Sequence, residues 1–390
     1  VTQPSRRAGR ARRIVVLNER DLDNPRAGGA EIHVFEIFRR LAERGHAVRL
    51  LAASFPGAAP TVTMQGITVR RLGNRYRFYP QIPFALRREL AADPADVVVD
   101  VLNKLPFLTP LVADVPCCAI AHHLFGVTAF RQVPVPIAVV VALAEQLIPF
   151  AYRRTPILAI SESTRDDLIV RGIPGEHVVV VPPGIDATYT PGPLGPRPPL
   201  IVWIGRLERY KRADVMIDAF VEIRRRIPEA RLAIIGSGHA RAALEELVRR
   251  RGLTAAVEFT GFISEERKIE YLQRAVLLVN TSEKEGFGLT VIEANACGTL
   301  NVSTDVPGLR DSVRDGETGM LVPFDDVAAL ARVAVQVLTD EPLRARLVAN
   351  GLEWAARFSW ERAADATEAL IEEAIAIHGR GPKGRVAEPV

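Results

Sequence analysis

The chain has 390 residues, 48% of them hydrophobic and 25% charged, an ordinary globular composition with enough apolar material for two or three domain cores. Fifty basic and 46 acidic residues leave a net charge of +4. So small an excess gives no argument for nucleic acid, and no nucleic-acid partner is expected. Cys117, Cys118 and Cys297 show neither a disulfide framework nor metal-ligand spacing, and read as reduced, buried thiols of a cytoplasmic protein.

The arginines at 6, 7, 10, 12 and 13 form a basic start that reads as a solvated terminus, with contact to an anionic surface as the alternative. It leads into Ile14-Val-Val-Leu17, too short for the apolar core of a signal peptide. That run is the pattern of a buried parallel strand. A glycine-containing loop follows, then a helical pattern from about Ala30 to Arg44, stopped by Gly45, and a strand at Val48–Leu51. Further strands are expected at Asp96–Asp100, Cys117–Ala121, Ile157–Ile160 and His177–Val181. The longest apolar stretch, Val133 to Ala144, contains Pro134 and Pro136 and falls short of the ~20 residues that span a bilayer.

The proline- and glycine-rich segment from Thr188 to Pro199 holds neither helix nor inner strand and reads as a linker. After it the alternation restarts, with strands expected at Leu200–Ile204, Arg231–Ile235, Val257–Thr260 and Val276–Val279. From Val327 to Ile377 the pattern is mostly helical, with a break near Ser359. Strand–helix alternation in two halves predicts two Rossmann-like α/β domains, each built on a parallel sheet. Ligands of such sheets bind at the carboxyl ends of the strands, so the expected site is the cleft between the halves.

Three segments carry chemistry there. Glu285-Gly-Phe-Gly-Leu-Thr-Val-Ile-Glu293 joins two glycines to a helix start. The glycines let amides approach a ligand, and a helix N-terminus is a ready phosphate site. Glu285 and Glu293 are placed to accept from sugar hydroxyls of one bound molecule. Gly205-Arg-Leu-Glu-Arg-Tyr-Lys211 puts two cations, Arg206 and Lys211, across a strand-to-helix turn, where they can converge on a diphosphate. Opposite them, Gly28-Gly29 starts a helix, and His122 and His123 end a strand. A histidine there suits a sugar hydroxyl or proton transfer, and alternation along a strand turns at most one of the pair to the cleft. Ser161 reads as a helix N-cap.

In order and spacing these motifs resemble the retaining glycosyltransferases of family four, which have the two-Rossmann GT-B fold. The resemblance runs from Ile14 to about Ile377 and includes Val181-Pro-Pro-Gly-Ile-Asp186, Asp315-Gly-Glu-Thr-Gly319 and Phe358-Ser-Trp-Glu361. It implies a first, acceptor domain over residues 1–190, a donor domain over 199–359, and a last helix, 360–378, crossing back to the first. It implies that Arg206 and Lys211 hold the diphosphate of a nucleotide-sugar donor of the UDP-glucose or GDP-mannose type. Glu293 would bind the ribose, Phe262 and Ile263 would lie beside the base, and Gly29 would cap the diphosphate. Glu285, Thr290 and the amides of Phe287, Gly288 and Leu289 would hold the sugar, with His122 as the cleft histidine. The family usually works without a metal, and neither metal nor cofactor is expected. A front-face reaction is implied, in which the leaving diphosphate takes the acceptor's proton.

The acceptor, whether small molecule, glycan or lipid, is less legible. Arg70-Arg71, Arg75-Tyr-Arg-Phe-Tyr79, Arg87-Arg88 and the apolar segment Pro134 to Tyr152, ended by Arg153-Arg154, suit a peripheral enzyme at the inner face of a membrane. A buried helix with solvated arginines explains the same residues. A sugar-nucleotide epimerase and a two-lobed sugar-binding protein are the rival readings of such a fold.

Overall fold

The computed structural model describes residues 10–74, 76–103, 105–126, 134–192 and 197–379. Arg6, Arg7, Arg75, Val133 and the middle of the proline-rich linker lie outside the described residues. The first half runs β1 (Arg13–Leu17), α1 (Gly29–Glu43), β2 (Ala47–Ala53), β3 (Thr61–Met64), β4 (Ile67–Leu72), α2 (Phe78–Ala92), β5 (Val97–Leu102), α3 (Thr109–Val112), β6 (Cys117–Ala121), α4 (Val135–Glu145), α5 (Ile148–Tyr152), β7 (Ile157–Ala159), α6 (Glu162–Val170) and β8 (Val178–Val180). These strands form one sheet in the order β3-β4-β2-β1-β5-β6-β7-β8, parallel except for the β3–β4 hairpin.

The second half runs β9 (Leu200–Ile204), α7 (Ala213–Arg226), β10 (Arg231–Ile235), α8 (Arg241–Arg250), β11 (Val257–Gly261), α9 (Glu265–Arg274), β12 (Leu277–Asn280), α10 (Leu289–Ala296), β13 (Leu300–Thr304), α11 (Leu309–Ser312), β14 (Met320–Val322), α12 (Val327–Thr339), α13 (Glu341–Ala355) and α14 (Trp360–Gly379). Its sheet is parallel, in the order β11-β10-β9-β12-β13-β14. The two Rossmann-like sheets are those expected of the GT-B fold. The hairpin β3–β4 and the strands β13 and β14 were not legible in the sequence. Their runs are short, half polar or broken by threonine and asparagine, and their pairing comes from the neighbouring strand rather than their own pattern.

Alternate residues of the first sheet face two layers. Ile14, Val16, Val99, Cys118 and Ile120 pack with Phe35, Phe38 and Leu41 of α1 and with Leu370 and Ile371 of α14. Val15, Leu17, Leu51 and Val98 pack under Phe78, Ile82 and Leu86 of α2, and Ala119, Ala121 and Ile157 under Ile148 and Tyr152 of α5. Cys118 and Cys297 are buried thiols as expected, whereas Cys117 is only half-buried because it opens its strand.

The chain crosses itself where the halves meet. Ile185 pairs with Ser359 as a lone parallel bridge. A Cβ on Gly184 would come within 2.0 Å of the Trp360 nitrogen, so only glycine lets the outgoing and returning segments touch. From there α14 runs back over α1, carrying Glu361, Asp365 and Glu368 to Arg44, and Glu372 to Arg12.

Candidate active site between the two sheets

In the first sheet β1, β5 and β6 are neighbours, so the loops leaving them open side by side at its carboxyl edge. Gly28 is the extended N-cap of α1. Its N–H donates to Glu31 Oε2 at 2.7 Å, so one of the two glycine amides is already occupied. Glu31 is buried, its pKa raised by burial against the opposing pull of Arg20, whose Nη2 lies 3.1 Å away. Gly29 is unobstructed: a Cβ there would meet nothing within 4 Å. Its amide belongs to the first turn, where no intrahelical acceptor exists.

His122 is 3% exposed. Its Nε2 lies 3.1 Å from Nδ1 of His33, and the His33 ring packs in turn on Trp360. Burial depresses both imidazoles, His33 to about 3 and His122 well below its ordinary value. Two neutral rings therefore share one hydrogen bond, and His122 Nδ1 has no partner among the described residues. His123 stands elsewhere, against the Phe125 ring, close enough to Glu285 to act on its ionisation. His33 carried no sequence signal, because a lone histidine on an otherwise apolar helix face reads as ordinary core.

In the second sheet, β9 leads through Gly205 to Arg206, which is exposed, with Nη2 3.0 Å from the Tyr210 hydroxyl. It has no carboxylate partner among the described residues. Lys211 is half-buried and paired with Glu285. Glu285 also accepts from Ser282 Oγ at 2.6 Å. Burial alone pushes the Glu285 carboxyl up, but Lys211, Ser282 and His123 outweigh it and hold it below the usual range. Lys211, expected beside Arg206 on the diphosphate, is thus tied to the motif's first glutamate.

The motif then turns into α10. Gly288 is its N-cap with φ +79°, a conformation that favours glycine, and a Cβ there would lie 2.7 Å from Ser312 Oγ. A Cβ on Gly286 would lie 2.9 Å from Ile160 Cδ1 and 3.0 Å from the His122 carbonyl oxygen. The motif backbone therefore lies directly against the end of the first sheet. Leu289 and Thr290 are half-buried at the helix start. The Phe287 side chain is buried against Phe358, so only its backbone faces outward chemistry.

Glu293 is 5% exposed. Lys268 Nζ of α9 lies 3.1 Å from each of its carboxylate oxygens. Burial lowers the Lys268 pKa, and Glu293 and Glu265 together raise it above its ordinary value. Instead of leaning freely toward the helix start, Glu293 is clamped to the neighbouring helix. Lys268 is a second residue the sequence did not reveal, since a lysine on a polar helix face is indistinguishable from a solvated one. Phe262 is 86% exposed and Ile263 half-buried in the loop before α9.

Three contacts bridge the halves at this edge. Lys284 Nζ donates to the Leu124 carbonyl at 2.7 Å and pairs with Asp167. The Ser163 N–H donates to Asp311 Oδ1 at 3.1 Å. Ser161 caps α6 as expected, accepting from the Thr164 N–H, and Thr164 Oγ1 donates to the His122 carbonyl. Among the described residues no cluster of three or more His, Cys, Asp or Glu has the arrangement of a metal site.

Residues 27–189 match the model described as Glycosyltransferase Family 4, and residues 191–354 the model described as Glycosyl transferases group 1. A D-inositol 3-phosphate glycosyltransferase of Nocardia farcinica is 31% identical, the alignment covering 89% of this chain and 84% of the relative. One from Geodermatophilus obscurus is also 31% identical, covering 97% and 94%. Among solved structures, a sucrose-phosphate synthase from Thermosynechococcus elongatus superposes with a TM-score of 0.78 at 23% identity, covering 94% of this chain and all of that one. Anabaena HepE in complex with UDP-glucose gives 0.73 at 19%, covering 94% and 99%. Motifs, cleft and relatives agree: the chain belongs to the family 4 glycosyltransferases, and it is a retaining enzyme of the GT-B fold.

Proposed function

We propose that the enzyme moves a hexose, with retention, from a nucleoside-diphosphate sugar of the UDP-glucose or GDP-mannose type to a hydroxyl of a small molecule, glycan or lipid head group, with no metal taking part. Residues 199–359 take the donor and residues 1–190 the acceptor. The observation that carries this reading is the Lys211–Glu285 pair beside the open N-terminus of α10, with Arg206 exposed next to it and lacking a carboxylate partner. Arg206 and Lys211 hold the diphosphate, and Glu285, Thr290 and the amides of Phe287, Gly288 and Leu289 hold the sugar. Glu293 takes the ribose hydroxyls, Phe262 and Ile263 flank the base, and Gly29 caps the diphosphate from the other side. The relatives named for inositol phosphate and the neighbour solved with UDP-glucose favour a polyhydroxylated acceptor and a uridine donor.

In the reaction the acceptor oxygen forms a bond to the anomeric carbon as the bond to the diphosphate oxygen breaks. The acceptor proton passes to the departing diphosphate, whose growing charge is stabilised by Arg206, Lys211 and the helix start. Burial makes His122 a feeble base, so its part is a hydrogen bond from the neutral ring to a sugar hydroxyl. Incubation with a panel of nucleotide sugars and polyol acceptors tests the reading. Free nucleoside diphosphate and a glycosylated product with retained anomeric configuration are expected. An epimerised donor formed without acceptor overturns it in favour of an epimerase, and binding without turnover of any donor overturns it in favour of a sugar-binding protein.

A further inference from the structure

The layer formed by α2, α3, α4 and α5 covers one face of the first sheet, and its outer surface is built the wrong way round for water. The segment Val135–Tyr152 is long and apolar enough to cross a bilayer by length and composition. It is held against the protein instead. The helix breaks between Glu145 and Ile148, Ala138 and Val141 turn inward, and buried Glu145 accepts from the Phe125 and Gly126 N–H groups at 2.6 and 2.9 Å. Tyr152 is fully buried, bonded to Asp100 and to the Leu108 N–H. The polar anchor is thus on the inner side and the large apolar side chains are outside, the reverse of a surface helix.

Leu143 is 64% and Phe150 75% exposed, and Val140 and Leu147 are exposed with them. The neighbouring helices extend the patch with Phe84 at 74% and Leu111 at 51%. Arg87 of α2 reaches the Val112 carbonyl at the end of α3, and Leu108 at the start of α3 bonds Tyr152 of α5, so the four helices are one continuous surface. Its exposed charge is mostly positive. The only acids on these four helices, Glu89 and Glu145, are buried. Arg87, Arg88, Arg153 and Arg154 are exposed around the apolar patch.

We infer that this face docks the enzyme on an anionic lipid bilayer, with α4 and α5 lying in the interface and the arginines against the headgroups. Apolar side chains standing outward, with four exposed arginines against exposed Asp93 and Asp114 at the ends of α2 and α3, match a hydrocarbon boundary beneath a negative headgroup layer. A protein partner would need its own complementary acidic rim. A second copy of this chain would bring arginines against arginines. The inference stands apart from the reading of the sugar-transfer site.

Co-sedimentation of the full chain with vesicles tests it, comparing phosphatidylcholine alone with an equal mixture of phosphatidylcholine and phosphatidylglycerol. The chain sediments with the mixed vesicles, less with phosphatidylcholine alone, and less again at high salt. Leu143→Asp with Phe150→Asp, and separately Arg153→Ser with Arg154→Ser, each lower the vesicle affinity at least about tenfold. Both pairs are exposed, and unchanged circular dichroism and nucleotide binding confirm that the variants fold. A wild-type chain that stays in the supernatant, or a double aspartate variant that sediments equally well, overturns the inference. So does a dimer in lipid-free solution that the aspartates convert to monomer, because a second copy then covers the face.

Discussion

At the scale of single residues, the second-sheet side of the cleft carries two charged pairs already engaged with one another. Lys211 is held by Glu285, and Lys268 by Glu293. Removing one partner leaves the other partly buried and uncompensated, so each truncation should act twice. Lys211→Ala and Glu293→Ala are expected to weaken nucleotide binding by roughly 2–4 kcal/mol in titration calorimetry, the range for breaking a partly buried charged contact. Unchanged affinity would remove the diphosphate and ribose roles. Glu285→Ala should chiefly lower kcat, because it frees Lys211 to meet phosphate while losing a contact to the sugar. A second expectation concerns His33, which fixes His122 through their shared hydrogen bond. His33→Ala should lower kcat/KM about fivefold, the worth of roughly one hydrogen bond, while His33→Asn, which restores a polar atom near Nδ1, should recover part of the loss. Because burial drives both rings down, His33 to about 3, neither should contribute a limb to the kcat profile between pH 5 and 8. A limb near 6.5 that disappears in His33→Ala would contradict the buried, neutral pair.

At the scale of elements, the hydrogen-bond network under the exposed helical layer is tuned by pH. Asp100 of β5 is fully buried, accepts from Tyr152 and Thr109, and is raised to about 6, because burial outweighs the hydrogen bonds that favour its charged form. A carboxyl raised in the folded state binds its proton more tightly there than when unfolded. Its contribution is therefore present below the ordinary carboxyl value of 3.8 and lost as pH rises through about 6. The span corresponds to a loss on the order of 3 kcal/mol. Asp100→Asn keeps an acceptor for both hydroxyls and cannot ionise. Urea unfolding at several pH values between 4 and 8 should show the wild type losing stability relative to this variant as pH rises. A constant difference between the two would mean that Asp100 keeps an ordinary pKa.

At the scale of the whole molecule, the returning helix α14 closes the first domain. It places Ala363, Ala364, Leu370, Ile371 and Ala374 in the core beside α1 and the first sheet. Burying Leu370 and Ile371 is worth roughly 1.5–3 kcal/mol each. The Glu361, Asp365 and Glu368 pairs with Arg44 sit at a half-exposed seam and add little. Ending the chain after Phe358 should therefore yield aggregated or unfolded protein, read by solubility and circular dichroism. Glu361→Ala with Glu368→Ala should change the unfolding free energy by less than about 1 kcal/mol. A soluble, folded truncation would show that the first domain's core closes without α14.

The sequence by itself determined the two-sheet architecture, the break before the last helix and the glycine-flanked helix start at Glu285–Glu293. Each of these rests on local information: apolar runs of strand length, helix periods, and glycines at helix starts. The strands Cys117–Ala121, Leu200–Ile204 and Arg231–Ile235 and the helix Leu289–Ala296 appear with the expected bounds for that reason. Only the tertiary structure decided what those residues touch. That Lys211 binds Glu285, that Lys268 clamps Glu293, that His122 leans on His33 and that Gly184 passes under Trp360 are contacts between segments tens or hundreds of residues apart. Side-chain periodicity says which face of an element is apolar, but not which neighbour covers it. For the same reason the apolar run before Arg153 read equally as core or surface, and the outward turn of Leu143 and Phe150 emerged only once the sheet beneath them had claimed the other side.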